Sequence, residues 1–301
     1  MTFRQQPHGL ALLYLLRALG RLPLGFLYIL AGAGYHITYH VAGYRRKTVR
    51  ENLAGAFPAR SGKELTVLEK NFYRQLTEVA AEIVAARYMS AREFRRRVTL
   101  VNPQLLATAS DDGSRPVMIL AIHQGNWEWL LHGVALATGC TLDPVYKPLH
   151  NRGADLFVNE VRARFGARPM ARGSVAQAVL KNRDRARSAV LLADQSPVPG
   201  ERCCAASFMG MPTAFHSGPA GLARSSGLPL LFARCRRRRR GYYEVEFQLL
   251  AREPARESEE TLVQRYVAAA EAAIIAEPQS WLWSNRRWKR APPAQKNRVS
   301  R

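Results

Sequence analysis

Residues 117–122 read Val-Met-Ile-Leu-Ala-Ile, an apolar run with no polar alternation. A run this short that is apolar on both faces predicts a strand buried on both faces, which requires cover above and below. Residues 189–193, Ala-Val-Leu-Leu-Ala, repeat the pattern. Between them the apolar spacing predicts helices near 127–138, 152–165 and 174–182. Strands separated by helices argue an α/β fold. Further on, 229–233 and 242–249 read as a hairpin pair, the second with clean alternation. A last helix is predicted over 258–276, stopping before Pro278. Upstream, 44–57 reads as a helix ending at Phe57-Pro58. Ser61 with Glu64 forms a capping box for another, whose apolar positions are Leu65, Leu68, Phe72, Leu76, Val79, Ala80 and Ile83. The expectation is one α/β domain over 45–290, with a mixed central sheet flanked by helices. There is no internal repeat.

The first 44 residues differ in texture. No Lys, Arg, Asp or Glu lies between Leu22 and Tyr44, a length sufficient to cross a bilayer. Pro23, four glycines, His36 and His40 interrupt the run, and a cleaved signal peptide fits poorly because Arg17 and Arg21 break the apolar region. The basic cluster Arg45-Arg46-Lys47 follows at once and favours anionic headgroups on the cytoplasmic side. Residues 1–44 are therefore expected to be a helical membrane-associated segment, spanning or interfacial; the alternative is a buried core helix. Residues 291–301 are expected to be a basic disordered tail.

The charge is the other strong constraint. Forty-five Lys and Arg against 23 Asp and Glu give +22. Such a chain meets anionic partners: nucleic acid, anionic lipid, a phosphorylated substrate or an acidic protein. Global disorder and a polytopic membrane protein are excluded by the 47 % apolar content and by its distribution. Cys140, Cys203, Cys204 and Cys235 are too few for a disulfide scaffold and lack C-x-x-C spacing, so no zinc site is expected. There is no H-E-x-x-H, no G-x-S-x-G and no phosphate loop. The arginine run 236–240 reads as a hairpin tip, solvated or laid on anionic lipid.

The chemistry concentrates where the first strand ends, in His123-Gln124-Gly125-Asn126-Trp127-Glu128. Open α/β sheets place ligands at the carboxyl ends of their strands. Gly125 permits a tight turn, Asn126 can cap the next helix, and Glu128 falls in that helix's first turn. On one continuous helix His123 and Glu128 would sit about 140° apart. With His123 in the turn they can meet, and a carboxylate on one ring nitrogen would leave the other as a general base.

The pattern H-x-G-N-W-E resembles the lauroyl and myristoyl transferases of lipid A biosynthesis, within the wider glycerolipid acyltransferase group with an H-x-x-x-x-D/E motif. Asn52-Leu53 with Ala56-Phe57-Pro58 is similar to that family's N-L-x-x-A-F-P segment. Val145-Tyr146-Lys147-Pro148 resembles its Y-R-P stretch, with Lys147 where Arg is common. Arg162 to Gly166 resembles R-x-R-x-G, Asp194-Gln195 its D-Q block, and Phe208 to Thr213 its F-x-G-x-x-T. Pro278 to Trp283 followed by Arg286-Arg287-Trp288-Lys289 is similar to the C-terminal signature, with Asn285 where His is frequent.

The resemblance implies acyl transfer from a thioester to a hydroxyl of a lipid A precursor at the cytoplasmic face of the bacterial inner membrane. His123 would be the base and Glu128 its partner. Asn126 would shape the turn, Arg162 and Arg164 would meet phosphates, and Asp194 and Gln195 would line the cleft. Lys147 and Thr213 would complete the substrate-binding set. Acyl carrier protein is the implied donor, with acyl-CoA second, and an anionic membrane surface and a phosphorylated lipid are the other partners. No metal, cofactor or specific nucleic acid is implied. Another lipid acceptor, or a basic binding protein without catalysis, are the alternatives. Trp281, Trp283 and Trp288, interleaved with Arg286, Arg287 and Lys289, are expected near the cleft mouth on headgroups or phosphates. Otherwise they pack on the core.

Overall fold

The computed structural model describes residues 7–181 and 186–289; the tail expected over 291–301 lies outside the described residues. Chain order begins with α1 (Pro7–Leu19), α2 (Leu24–His36), a π-helical turn at Ile37–Val41, α3 (Arg46–Ala56) and α4 (Gly62–Ala86). There follow α5 (Ala91–Arg97), β1 (Val98–Leu100), α6 (Pro103–Ala109), β2 (Met118–Ala121), α7 (Trp127–Thr138), β3 (Thr141–Tyr146) and α8 (Arg152–Arg162). The second half runs β4 (Met170–Ala171), α9 (Val175–Lys181), β5 (Arg187–Leu192), β6 (Cys203–Phe208), β7 (Met211–His216), α10 (Gly218–Ser226), β8 (Leu230–Arg239), β9 (Tyr242–Ala251) and α11 (Glu259–Ala276).

The expected mixed sheet is present. Seven strands lie in the order β1-β9-β8-β2-β5-β3-β4. Every pairing is parallel except β8 with β9, the hairpin read from the sequence. The run at 117–122 is buried on both faces, as its composition demands. Met118, Leu120 and Ile122 enter one core with α4, α10 and α11, while Val117, Ile119 and Ala121 enter the other with α5, α7 and α8. Ser61 caps α4 and Glu64 closes the capping box.

Two elements escape a reading of the sequence. β3 holds Asp143 and Pro144, which break its strand signal; Asp143 is buried against Arg187, with 2.5 Å between Arg187 Nη2 and its Oδ1. β6 and β7 form a separate antiparallel hairpin around a turn at Met209-Gly210.

The N-terminal apolar run is not one helix. A turn through Gly20–Pro23 separates α1 from α2, and the π-helical turn ends α2's line. Among the described residues no helix is long and apolar enough to cross a membrane. Both helices pack on the α/β core. α2 lays Leu27, Ala31 and Tyr35 inward, and α1 meets α8 where a Cβ on Gly153 would fall 1.7 Å from the Gly9 carbonyl oxygen. Their outer faces expose Tyr14, Leu15, Phe26 and Ile29, and Val41 of the π-helical turn is exposed with them.

Candidate active site

His123 and Asp194 emerge side by side because β2 and β5 are parallel neighbours, with Ala121 opposite Leu192. After β2 the chain moves toward β3, and after β5 it returns past β2 to β8. Strand ends whose connections leave in opposite directions form a crevice, where open sheets bind ligands. His123 Nδ1 lies 2.7 Å from Asp194 Oδ1, and the His123 backbone N–H donates to Oδ2 at 3.0 Å. The Trp281 indole N–H donates to that same Oδ2 at 2.8 Å. Burial alone would push the Asp194 carboxyl up, but the His123 imidazole and these donors hold it below the usual aspartate range.

The turn itself is tightly made. Gly125 has φ +60°, and a Cβ there would meet the Cys235 carbonyl oxygen at 2.6 Å, so only glycine fits. Asn126 accepts from the Trp129 N–H at 2.9 Å, which caps α7. The C-terminal signature lies against the same turn. Gly125 N–H donates to the Ser280 oxygen, Leu282 N–H to the His123 oxygen, and Gln124 bridges Trp281 in antiparallel fashion. Asn52 closes this bracket from α3 by donating to the carbonyls of Trp283 and Asn285, each at 2.7 Å.

Glu128 does not pair with His123. It sits 4 % exposed in the first turn of α7 and grips Arg162 bidentately, with Nε to Oε2 at 2.9 Å and Nη2 to Oε1 at 2.5 Å. The guanidinium fork engages both carboxylate oxygens on the Arg162 side, while the imidazole bonds to Asp194 instead. Asp194, 71 residues along the chain from His123, takes the place expected of Glu128.

His123 opens on a cavity of about 680 Å³. Lys147, Arg162 and Gln195 line it too, with Gln195 Nε2 at 3.5 Å from His123 Nε2. One wall is apolar, from Val145, Leu149, Val175, Leu191 and Leu222. A cavity lined by both apolar and cationic side chains suits a ligand with an apolar part and anionic groups.

The sequence model of the bacterial lipid A biosynthesis acyltransferase family matches residues 8–290. The chain belongs to that family. Acyltransferase is thus its class of activity, in lipid A biosynthesis. A search of curated proteins finds no match.

In this family member, four of the nine residues singled out from sequence line the cavity: His123, Lys147, Arg162 and Gln195. Asp194, Glu128 and Asn126 stand behind it. Asp194 backs His123, Glu128 backs Arg162, and Asn126, fully buried, forms the helix cap. Arg164 is turned away and does not meet the cleft. Its guanidinium donates to the carbonyls of Ala86 and Met89, at the C-terminal end of α4, where cations are favoured. Thr213 is 1 % exposed and accepts from Trp288 Nε1 at 3.0 Å, away from the cavity. The C-terminal tryptophans pack on the core: Trp281 and Trp283 are buried, and Arg287 is enclosed over the Phe215 ring at 4.1 Å with Nη2 on the Ala214 oxygen. Only Arg286 and Lys289 of that basic set are exposed. The 236–240 arginines lie on the β8–β9 hairpin and largely pair with acids; Arg237 and Arg240 both reach Glu78.

Three groups carry no mark in the sequence. Glu82 is wholly buried beneath the His123 turn. Glu201 and His216 face the cavity together, Oε2 to Nδ1 at 3.0 Å, and burial lowers His216 to about 4. No local pattern signals these; each is an isolated residue made special by what folds around it.

Proposed function

We propose that this family member transfers a fatty acyl chain from a carrier-protein thioester to a hydroxyl of a phosphorylated lipid A precursor, with His123 as general base. The observation that carries the proposal is the His123–Asp194 pair at the mouth of a half-apolar cavity. A carboxylate on Nδ1 fixes the tautomer and turns Nε2, the basic nitrogen, outward. In the reaction the acceptor oxygen attacks the thioester carbonyl as Nε2 takes the hydroxyl proton. The tetrahedral oxyanion then collapses, the C–S bond breaks, and the imidazolium returns its proton to the leaving thiolate. Asp194 stabilises the transient imidazolium. Arg162, clamped by Glu128, and Lys147 supply cationic walls for phosphates of the acceptor or the donor's carrier arm. The apolar wall accepts the acyl chain.

The exposed apolar faces of α1 and α2 support seating in the membrane interface rather than crossing it, at the cytoplasmic face of the inner membrane. An acidic carrier protein suits the +22 charge. The test is transfer from a defined acyl carrier protein thioester to a purified lipid A precursor, read by product mass. Acylation of that precursor, lost in His123→Ala, is the expected result. No transfer to it, with transfer to a lysophospholipid or an amino-acid lipid instead, would overturn the acceptor assignment.

A further inference from the structure

Glu82 takes no part in the chemistry above, yet the fold encloses it completely, at 0 % exposure on the inner side of α4. A carboxylate costs much to bury, so its neighbours must compensate it. Three donors converge on it. Asn126 Nδ2 donates to Oε2 at 2.8 Å, the Tyr243 hydroxyl donates to Oε2 at 2.6 Å, and the Tyr28 hydroxyl donates to Oε1 at 2.8 Å. Its own backbone carbonyl accepts from Trp129 Nε1 at 3.0 Å. Tyr28 lies on α2, Tyr243 on β9, and Asn126 and Trp129 at the start of α7, so this α4 residue joins four parts of the molecule.

The consequence for Asn126 is specific. A side-chain amide has an accepting end and a donating end, and the two must be placed correctly. Its Oδ1 receives the Trp129 N–H and its Nδ2 faces Glu82. Burial pushes the Glu82 carboxyl up, but Asn126, Tyr243 and Tyr28 all donate to it, so its oxygens are the acceptors at each of these contacts. Glu82 therefore admits one orientation of the amide, the one in which Oδ1 caps α7. The backbone runs from that cap through Gly125 and Gln124 to His123, whose own N–H is held by Asp194. We propose that Glu82 is a positioning residue: by fixing the Asn126 amide it holds the His123 turn in register with Asp194, and through Tyr28 it ties that turn to the N-terminal helix α2. The inference rests on the reading of His123 as the base. A displacement of about 1 Å in a reacting group costs up to roughly 100-fold in rate, which sets the scale of effect available to such a residue.

The donor–acceptor logic supplies its own test. Asn126→Asp keeps an excellent helix cap but sets a second carboxylate against Glu82. Glu82→Gln alone can still accept from Asn126 through its amide oxygen while its NH₂ faces the Tyr28 hydroxyl. In the double variant the amide introduced at position 82 donates to the carboxylate introduced at position 126. On the full-length protein we expect Asn126→Asp to lower kcat about 10- to 100-fold with KM for both substrates within about twofold. Glu82→Gln should stay within about threefold of wild type, and the double variant should recover at least about tenfold over Asn126→Asp. Melting temperature is measured in the same set and should fall and recover in parallel. A wild-type kcat in Asn126→Asp, or a double variant no better than that single one, would overturn the proposal. Failure of the underlying reading is distinguishable. A protein that transfers no acyl chain, or keeps its rate in His123→Ala, leaves the melting cycle to decide the Glu82–Asn126 coupling by itself. If Asn126→Asp does not fold and Glu82→Gln does not restore folding, the proposal also falls.

Discussion

Two buried carboxylates flank the candidate site, one at the end of β5 and one at the start of α7, and they are satisfied in opposite ways. Asp194 is held by an imidazole, an indole N–H and a backbone N–H. Glu128 is held by a single guanidinium fork. A guanidinium does not titrate near neutrality, so the α7 pair is a fixed dipole whose use is to place a cation on the cavity wall. An imidazole nitrogen can take up and release a proton within a reaction, so the β5 pair is suited to proton transfer. On the proposed reading the two regions divide the work into proton movement and anion binding, so substitutions in each should separate kinetically.

The largest effect is expected on the β5 side. His123→Ala should lower kcat by about 10²–10⁴-fold, the usual cost of losing a general base. Asp194→Asn should fall toward the same range, because a neutral amide no longer stabilises the imidazolium. Steady-state kinetics on the true substrates measure both. A near wild-type rate in either would erase the distinction between the two carboxylates.

On the α7 side the expected loss is in stability and binding. Glu128→Gln strands Arg162 without its counter-charge. Breaking a buried ion pair costs about 3–5 kcal/mol, and Arg162's 16 % exposure on the cavity reduces that here to about 2–3 kcal/mol. The melting temperature should drop by several degrees, KM for the phosphorylated substrate should rise, and kcat in the folded fraction should stay within about tenfold. A kcat loss as deep as that of Asp194→Asn, with no change in melting, would make Glu128 the proton partner after all.

The contrast also marks what a sequence can convey. The turn His123 to Glu128 is readable because its residues are contiguous and each has a local job: Gly125 for positive φ, Asn126 for the cap. The two apolar runs announce the α/β frame, since a strand buried on both faces has no polar side to disguise it. The His123–Asp194 pair is harder to see, although its signal is present. Both residues directly follow an apolar run, and parallel neighbouring strands bring such positions together. What the sequence lacks is the strand order. Glu128, five positions away, is the nearer candidate along the chain, but α7 points it toward Arg162 on α8. Arg164 and Arg162 look equivalent in sequence; a 3-10 turn at Ala163–Phe165 sends one to the end of α4 and leaves the other in the cavity. The membrane-length run from Leu22 to Tyr44 is legible only in part, because composition does not show that a π-helical turn follows α2 or that Leu27, Ala31, Tyr35 and Tyr39 pack inward.

Acid should loosen both regions, and to different degrees. Each carries a histidine whose surroundings favour the neutral form, His132 buried and His216 half-buried on the cavity. Burial lowers His132, on α7 between Phe94 and Phe165, to about 3, and His216, beside the β5 end, to about 4. An unfolded histidine takes up a proton near pH 6.5, so below that pH the unfolded chain binds more protons than the native one. The stability these groups contribute is complete above about pH 6.5 and is lost as pH falls toward 4 and then 3. Asp194, held below its ordinary value, contributes fully above the ordinary aspartate range and loses that contribution as pH falls below it. Thermal melts from about pH 7.5 to 3 should decline steadily, with the two histidines separating below about pH 4. His132→Gln should flatten that decline more than His216→Gln, and the reverse order would place the acid-sensitive region at β5.

The smallest expected effect concerns the basic C-terminal strip, where neighbours in sequence again differ in role. Arg286 is exposed, whereas Arg287 is buried over Phe215 with burial lowering its guanidinium to about 10. An exposed charge meeting a phosphate contributes about 0.2–1 kcal/mol and is screened by salt. Arg286→Ala should therefore raise KM for the phosphorylated acceptor by no more than about fivefold and weaken its rise with ionic strength. Arg287→Ala should act through the fold, because it removes packing between Phe208 and Phe215 and leaves the Ala214 carbonyl unpaired. Its melting temperature should fall while KM in the folded fraction stays at the wild-type value. Acceptor titrations at low and high salt separate the two arginines. If Arg286→Ala leaves KM unchanged at both, the strip takes no part in acceptor binding, and anion recognition rests on the α7 side, with Arg162 and Lys147.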